Sequence, residues 1–163
     1  MSRPSSGFTL IEMLLVVSIL ALLAGILVPS LDDSSSYARD AIRTADLRRV
    51  KAALATYKAR FGRYPDTGGN WWGEAPDFGS RGYGPAGYIP GLVPGYMKAL
   101  PADPLRASTT SPSLGYVYRS DGVDYKLLAW QSPEDPSSSS TFADPADPSS
   151  WSIHTPGARN WIP

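Results

Sequence analysis

Few residues of this sequence could carry out chemistry. The chain has no cysteine and a single histidine, His154, which excludes thiolate nucleophiles and disulfides and leaves too few ligands for a histidine-based zinc site. The sequence contains no nucleophile elbow, phosphate-binding loop or convincing pair of catalytic acids. It therefore predicts that the protein is not an enzyme and that His154 is a surface or packing residue.

The most unusual ionisable residue is Glu12, because it lies near the start of a long apolar run. Residues 13–31 carry no charge, and these 19 residues would form a helix about 28 Å long, close to the thickness of a bilayer core. A cleaved secretory signal is the alternative, but its apolar region is usually shorter, and residues 29–32 make a poor cleavage site. The run therefore favours a membrane-spanning helix.

Two residues weaken this predicted helix near its end. Gly25 costs about 1 kcal/mol relative to alanine, and Pro29 removes a main-chain donor and costs about 3 kcal/mol in a helix interior. We expect a bend or a locally unwound stretch between Gly25 and Pro29.

An amphipathic helix is predicted over about residues 35–62. Its apolar residues follow alternating spacings of three and four: Leu47, Val50, Leu54, Tyr57 and Phe61. The basic residues of the segment fall largely off this stripe: Arg43, Arg48, Arg49, Lys51, Lys58 and Arg60. Gly62 and Pro65 follow the last apolar position, as expected where a helix ends. We expect the stripe to pack on a small sheet, with a coiled coil as the alternative.

The remainder of the chain reads as long loops and short strands. Residues 67–95 are rich in glycine, proline and aromatics and predict a structured loop. Residues 115–130 contain two β-rich runs joined around Asp121-Gly122, a strong hairpin signal. The tail is rich in serine, proline and aspartate, and its late aromatic and apolar residues predict a return to the sheet: Trp151, Ile153 and Trp161.

Charge is balanced overall but unevenly distributed. Residues 32–64 hold eight Lys or Arg against four Asp, whereas residues 65–163 hold six against ten acidic residues. A zero net charge argues against nucleic acid as a bulk electrostatic partner, and the aromatic loop has one arginine, Arg81, against Glu74 and Asp77. We expect the loop aromatics to serve core or subunit packing rather than single-stranded DNA binding.

The N-terminus resembles a known family. The stretch SGFTLIEMLLVVSILALLAGILVP is similar to the class III signal and first helix of type IV prepilins and type II secretion pseudopilins. The resemblance implies cleavage between Gly7 and Phe8 by a prepilin peptidase, followed by N-methylation of Phe8. It also implies an α+β fold, in which a long N-terminal helix packs on a small antiparallel sheet. The regions would be a leader at 1–7, a transmembrane and filament-core helix at 8–31, and a head at 32–163.

The head also resembles that of the major pseudopilins, where an LPxDP stretch precedes the hairpin, here LPADP at residues 100–104. The chain departs from this pattern at Leu105-Arg106 and through a Ser/Thr loop at residues 107–113. Because many secretion pseudopilins bind calcium after the hairpin, the resemblance implies a possible calcium site, although no cofactor is required. Its candidate ligands are Glu134, Asp135, Asp144 and Asp147.

The resemblance implies a structural subunit that polymerises through its N-terminal helix, as a type II secretion pseudopilin driving protein export. The alternative is a surface type IV pilin or minor pilin in adhesion, motility or DNA uptake; ordinary type IV pilins usually carry a disulfide that this chain cannot form. Implied partners are further copies, related pilins, the peptidase, an assembly ATPase and an inner-membrane platform. The subunit would sit in the inner membrane with its head outside the cytoplasm, before entering a periplasmic or surface filament.

This resemblance implies a role for Glu12 in subunit assembly. Cleavage leaves an ammonium on Phe8, and assembly would bring it toward Glu12 of a neighbouring subunit. An unpaired charge in an apolar environment is penalised, so this pairing would favour one stagger between subunits. An interfacial carboxylate reaching the headgroups is the simpler alternative.

Overall fold

The computed structural model describes residues 7–134 and 141–163, except for the side chains of residues 24–34. The chain divides into two compact units, Met1–Ser36 and Tyr37–Pro163. The first consists of the N-terminal part of helix α1, whose full extent is Leu10–Phe61. The second holds the remainder of α1 and all of the β-structure.

Helix α1 has charges that suit its dipole at both ends. Glu12 lies in the first turn, and Lys58 and Arg60 lie in the last. The helix ends where Gly62 adopts a φ of 72° and its N–H donates to the Lys58 carbonyl at 2.8 Å, a left-handed end that glycine accepts at little cost.

The sequence predicts a membrane span and a bend in the N-terminal half of α1. Within the part of the chain that the structure describes, no helix has both the length and the apolar character to cross a membrane. The predicted span at 8–31 includes residues outside that description, and it stays a prediction. The bend predicted at Gly25 and Pro29 likewise falls within residues 24–34, outside the described side chains.

The sheet has four antiparallel strands in the order β1-β2-β3-β4. Their bounds are Trp72–Gly73, Gly115–Ser120, Tyr125–Trp130 and Trp151–His154. The β2–β3 hairpin closes at residues 121–124, where the Asp121 carboxylate accepts the N–H groups of Val123 and Asp124 at 2.9 and 2.8 Å. Gly122 takes a positive φ of 87° at this turn.

The core lies between α1 and one face of the sheet. Leu47, Val50 and Leu54 are fully buried against the face that carries Tyr116, Leu127 and other alternate residues of the strands. The predicted α+β fold, with a helix packed on a small antiparallel sheet, is confirmed. Two residues of the predicted apolar stripe are less buried than expected. Tyr57 is only partly buried, and Phe61 is 51% exposed because the helix ends beside it.

The opposite face of the sheet is covered by the end of the chain. Lys126 and Leu128, which alternate with the core residues of β3, are fully buried. The Trp71 indole N–H donates to the Ile162 carbonyl at 3.0 Å, and the Arg119 guanidinium lies 4.5 Å from the Trp161 ring centre. Both faces of the hairpin are therefore packed, which explains why β3 is buried along nearly its whole length.

One grouping made from the sequence is wrong. The sequence pattern predicts that Arg43 belongs to the basic residues that fall largely off the apolar stripe, but its side chain is completely buried. The stripe in fact continues about two turns upstream through Arg43 and Asp40, four and seven residues before Leu47. Arg43 can be buried there because it donates to Asp103 and Glu134 from two loops and to Asp40 on its own helix.

Candidate functional site

The residues predicted for processing and assembly lie together at the start of α1. A side chain built at Gly7 would have nothing within 4 Å, and Phe8 is 75% exposed. The peptide bond between Gly7 and Phe8 thus lies in an open segment just before the helix begins at Leu10. An extended, exposed peptide is what a protease needs at its cleavage site.

Glu12 forms a reciprocal cap with Thr9. The Thr9 N–H and hydroxyl donate to the same carboxylate oxygen, Oε2, at 2.8 and 2.7 Å, and the Glu12 N–H lies 3.3 Å from the Thr9 hydroxyl oxygen. This is a capping box, which satisfies main-chain donors that the first helical turn would otherwise leave unpaired. This cap is not among the predictions made from the sequence, although Thr-x-x-Glu before an apolar run is its usual signal.

An unbroken apolar surface follows this cap. The large apolar side chains from Phe8 to Leu23 are all exposed, by between 43% and 82%. They occupy every side of the helix: Phe8, Leu10, Ile11, Met13, Leu14, Leu15, Val16, Val17, Ile19, Leu20, Leu22 and Leu23. A helix that is apolar all round must be covered by lipid or by other protein.

In the head, the buried Arg43 guanidinium binds three carboxylates. Its Nε and Nη2 donate to the two Asp103 oxygens at 2.8 and 2.9 Å, in a bidentate arrangement. Its Nη1 donates to Asp40 at 2.7 Å and to Glu134 at 3.1 Å, and Glu134 also binds Arg39. The cluster fastens the LPADP loop and the loop after β3 to α1.

The pKa values in this cluster follow from these contacts. Burial alone would lower the pKa of Arg43, but its hydrogen bonds to Asp103 and Asp40 raise it well above its usual range. The hydrogen bonds from Arg39 and Arg43 lower the pKa of Glu134 despite partial burial. Arg43 and Glu134 are therefore charged at neutral pH, and the hydrogen-bonded cluster serves as a fixed structural clamp.

A second buried carboxylate, Glu74, organises the loops beside the sheet. Its Oε1 accepts the N–H groups of Tyr116 and Asp103 at 2.7 and 3.0 Å, and its Oε2 accepts the Tyr83 hydroxyl at 2.9 Å. Burial raises the pKa of Glu74, while the N–H donors act in the opposite direction. A Cβ added at Gly115, which has a φ of 137°, would lie 2.7 Å from this carboxylate.

Arg106 and the Ser/Thr loop at residues 107–113, where the sequence departs from the major pseudopilin pattern, contact each other. Arg106 donates to the carbonyls of Ser111 and Leu114 at 3.1 and 2.9 Å, so it closes the loop formed by residues 107–113. The unusual arginine and the extra Ser/Thr loop therefore form a single local feature.

The candidate calcium ligands are bonded to other groups. Glu134 contacts Arg39 and Arg43, and Asp144 pairs with Lys126. Asp147 accepts hydrogen bonds within its own turn, from Ser149 and Ser150. Asp135 lies outside the described residues.

Over residues 7–134 and 141–163, no three acidic, histidine or cysteine side chains come together as a metal site. Of the candidate ligands that are described, Glu134 and Asp144 already face cations, and Asp147 accepts hydrogen bonds from serines of its own turn. The described residues therefore do not fit the calcium ion that the resemblance implies.

The aromatic residues of the 67–95 loop and His154 are packed against other protein groups. Tyr88 is fully buried in the core, and the Arg81 guanidinium lies 3.6 Å from the centre of the Trp72 ring. Ser152 is within 3.0 Å of the His154 ring, but Ser152 is only 4% exposed, and burial lowers the pKa of His154. Burial therefore disfavours the charged form of the His154 imidazole.

Comparison with known proteins gives a consistent answer. Residues 2–28 match the prokaryotic N-terminal methylation motif. The type II secretion system core protein G of Pseudomonas aeruginosa is 40% identical over 65 residues, which are 40% of this chain and 46% of that protein. The protein of the same name from Aeromonas hydrophila is 36% identical, over 63% of this chain and 68% of its own length.

A third relative extends the match. The core protein G of Klebsiella pneumoniae is 36% identical over 76% of this chain and 74% of its own length. No solved structure matches the chain. Since two of these relatives are 36% identical to the chain over more than two thirds of their own length, the chain belongs to the family of the type II secretion system core protein G.

Proposed function

We propose that this protein is a structural subunit of a filament and that it polymerises through its N-terminal helix in a type II secretion system. The observation that carries this proposal is the helix surface from Phe8 to Leu23, which exposes large apolar side chains on every side. A helix interior of a filament provides what such a surface needs, because neighbouring helices replace lipid around it.

The role proposed for the first turn is to set the stagger between subunits. Cleavage after Gly7 would create an ammonium on Phe8, and Glu12 lies four residues further along. In the isolated subunit the Glu12 carboxylate is satisfied by Thr9. In the filament the ammonium of a neighbour would bind the same carboxylate, since an ammonium in an apolar environment needs a counter-charge.

The head would coat the filament as a rigid body. The Arg43 cluster and Glu74 join its loops to α1 and to the sheet, so the head can be moved without losing its shape. The role is structural rather than enzymatic. The partners proposed are further copies, related pseudopilins, a prepilin peptidase, an assembly ATPase and a membrane platform. Before assembly the subunit would reside in the inner membrane with its head outside the cytoplasm.

Shear fractionation combined with electron microscopy and an assay of secreted proteins tests this function. Cells lacking the gene should lose export of an exoprotein, while any surface pili remain. Reintroduction of the wild-type gene should restore export. Loss of surface fibres with normal export would contradict the secretion role and support a surface pilin or a minor pilin instead.

A further inference from the structure

A buried ammonium holds the end of the chain in place. Lys126 is fully buried on the sheet face opposite α1, although lysine is among the residues least often enclosed. Its Nζ donates to Asp144 Oδ1 at 2.9 Å, to the Arg159 carbonyl at 3.0 Å and to the Trp161 carbonyl at 2.8 Å. These three acceptors use all three protons of the ammonium.

The Asp144 carboxylate is committed to this cation. Its Oδ2 accepts no hydrogen bond of good geometry, but it lies 2.7 Å from the ammonium nitrogen, and the side chain is 1% exposed. Its Oδ1 also accepts the Ala146 N–H at 2.7 Å, which fixes the turn that precedes β4. A buried carboxylate and a buried ammonium are each very costly alone and tolerable together.

The oxygen atoms around Nζ are of the kind that bind a hard metal ion. One carboxylate and two main-chain carbonyls converge on a single point, as they do around calcium. Here the point is occupied by a cation that belongs to strand β3 itself. Its ligands come from residues 144, 159 and 161, so one side chain joins the beginning and the end of the C-terminal segment to the sheet.

We propose that the Lys126 ammonium takes the structural place of a metal ion in this head. The tethered cation fastens residues 141–163 to the outer face of the sheet, and the segment folds without calcium. This inference concerns the folding of the head and does not depend on the proposed filament function. It agrees with the carboxylates of Glu134 and Asp147, whose partners are protein groups rather than a shared cation site.

The test measures the thermal midpoint of the full chain in detergent, with added calcium or with excess EGTA, together with deuterium uptake in residues 141–163. The wild-type midpoint should agree within about 1 °C in the two solutions, because a bound ion would otherwise stabilise the fold. Lys126→Met should lower the midpoint by about 10 °C or more and raise deuterium uptake in residues 141–163 more than in the hairpin.

Lys98→Met is the matched control, since Lys98 is exposed, and it should shift the midpoint by no more than about 2 °C. If Lys126→Met does not fold, the double variant Lys126→Met, Asp144→Leu replaces it, because it leaves no unpaired buried charge and should fold. A wild-type midpoint that falls in EGTA and recovers with calcium would overturn the proposal. So would a Lys126→Met variant as stable and as protected as Lys98→Met.

Discussion

Replacing Arg43 with methionine is expected to be the most damaging single change to the head. Methionine keeps most of the side-chain length but removes every hydrogen bond of the guanidinium. The Asp103 carboxylate, which Arg43 binds through two nitrogens at 2.8 and 2.9 Å, would remain in the interior without that cation. Asp40 would lose its contact at 2.7 Å as well.

The magnitude follows from the burial of the pair. The side chains of Arg43 and Asp103 are both 0% exposed, and removing one partner of a buried ion pair costs about 3–5 kcal/mol. Domains of this kind have a free energy of unfolding of about 5–15 kcal/mol, so the loss would be a large fraction of the total. Arg43→Met should therefore lower the urea midpoint strongly without changing the slope of the transition.

Tryptophan fluorescence of the full chain in detergent, followed through a urea titration, measures this loss. The control is Arg60→Met on the same helix, where the side chain is exposed and the expected change is less than about 1 kcal/mol. If Arg43→Met cost no more than Arg60→Met, the clamp would contribute nothing to stability, and the reasoning from burial would be refuted.

Further predictions concern three other residues. Burial raises the pKa of Glu74 in the folded protein above its value in the unfolded chain, which is about 4.3. The protein should therefore be most stable, as far as Glu74 is concerned, below about pH 4.3, where this carboxyl is protonated in both states. It should lose stability as the pH rises through the folded-state pKa. Urea titrations at several pH values should show this dependence disappearing in Glu74→Gln, whereas Glu74→Ala should lose about 2–6 kcal/mol by leaving two buried N–H groups unpaired. Gly115→Ala should cost about 1–3 kcal/mol in the same assay, through its positive φ and its contact with Glu74. Glu12→Val should permit leader cleavage, seen by mass spectrometry, but reduce sheared filaments at least about tenfold; normal filament yield would contradict the pairing with Phe8.

The elements that could be predicted from the sequence are those governed by local rules. The spacing of Leu47, Val50 and Leu54 defines a helix face, and Asp121-Gly122 defines a hairpin turn, because both signals lie within a few consecutive residues. The N-terminal motif containing Gly7 is equally local. Such patterns do not depend on the remainder of the chain, so they could be read before the fold was known.

The buried charges could not be predicted in the same way. Arg43 lies 60 residues from Asp103, and Lys126 receives its carbonyl ligands from residues 33 and 35 positions away. A lysine or arginine in a sequence is ordinarily solvated, and only its tertiary partners make burial possible. One signal was available, because the helical stripe extends upstream to Arg43, but reading it required accepting a charge on a core face.

The reciprocal cap of Thr9 and Glu12 shows the opposite case. Its signal, Thr-x-x-Glu, lies within four residues, but the resemblance points to a partner for Glu12 in a neighbouring subunit. In the structure the carboxylate has a partner within its own helix, at 2.7 and 2.8 Å. In the proposed filament, the Phe8 ammonium would therefore bind a carboxylate that Thr9 already satisfies, so the gain in free energy would be smaller than for an isolated carboxylate.

Cysteine cross-linking within filaments tests the central claim most directly. The chain has no cysteine of its own, so a single engineered cysteine reports on one position only. Leu14→Cys lies on the exposed apolar helix, and Val123→Cys lies on the head with a similar exposure, 62% against 70% for the native side chains. Oxidation of sheared filaments should convert the Leu14→Cys subunits into covalent dimers and leave the Val123→Cys subunits monomeric. Monomeric Leu14→Cys subunits, or cross-linking through Val123→Cys alone, would contradict polymerisation through the N-terminal helix.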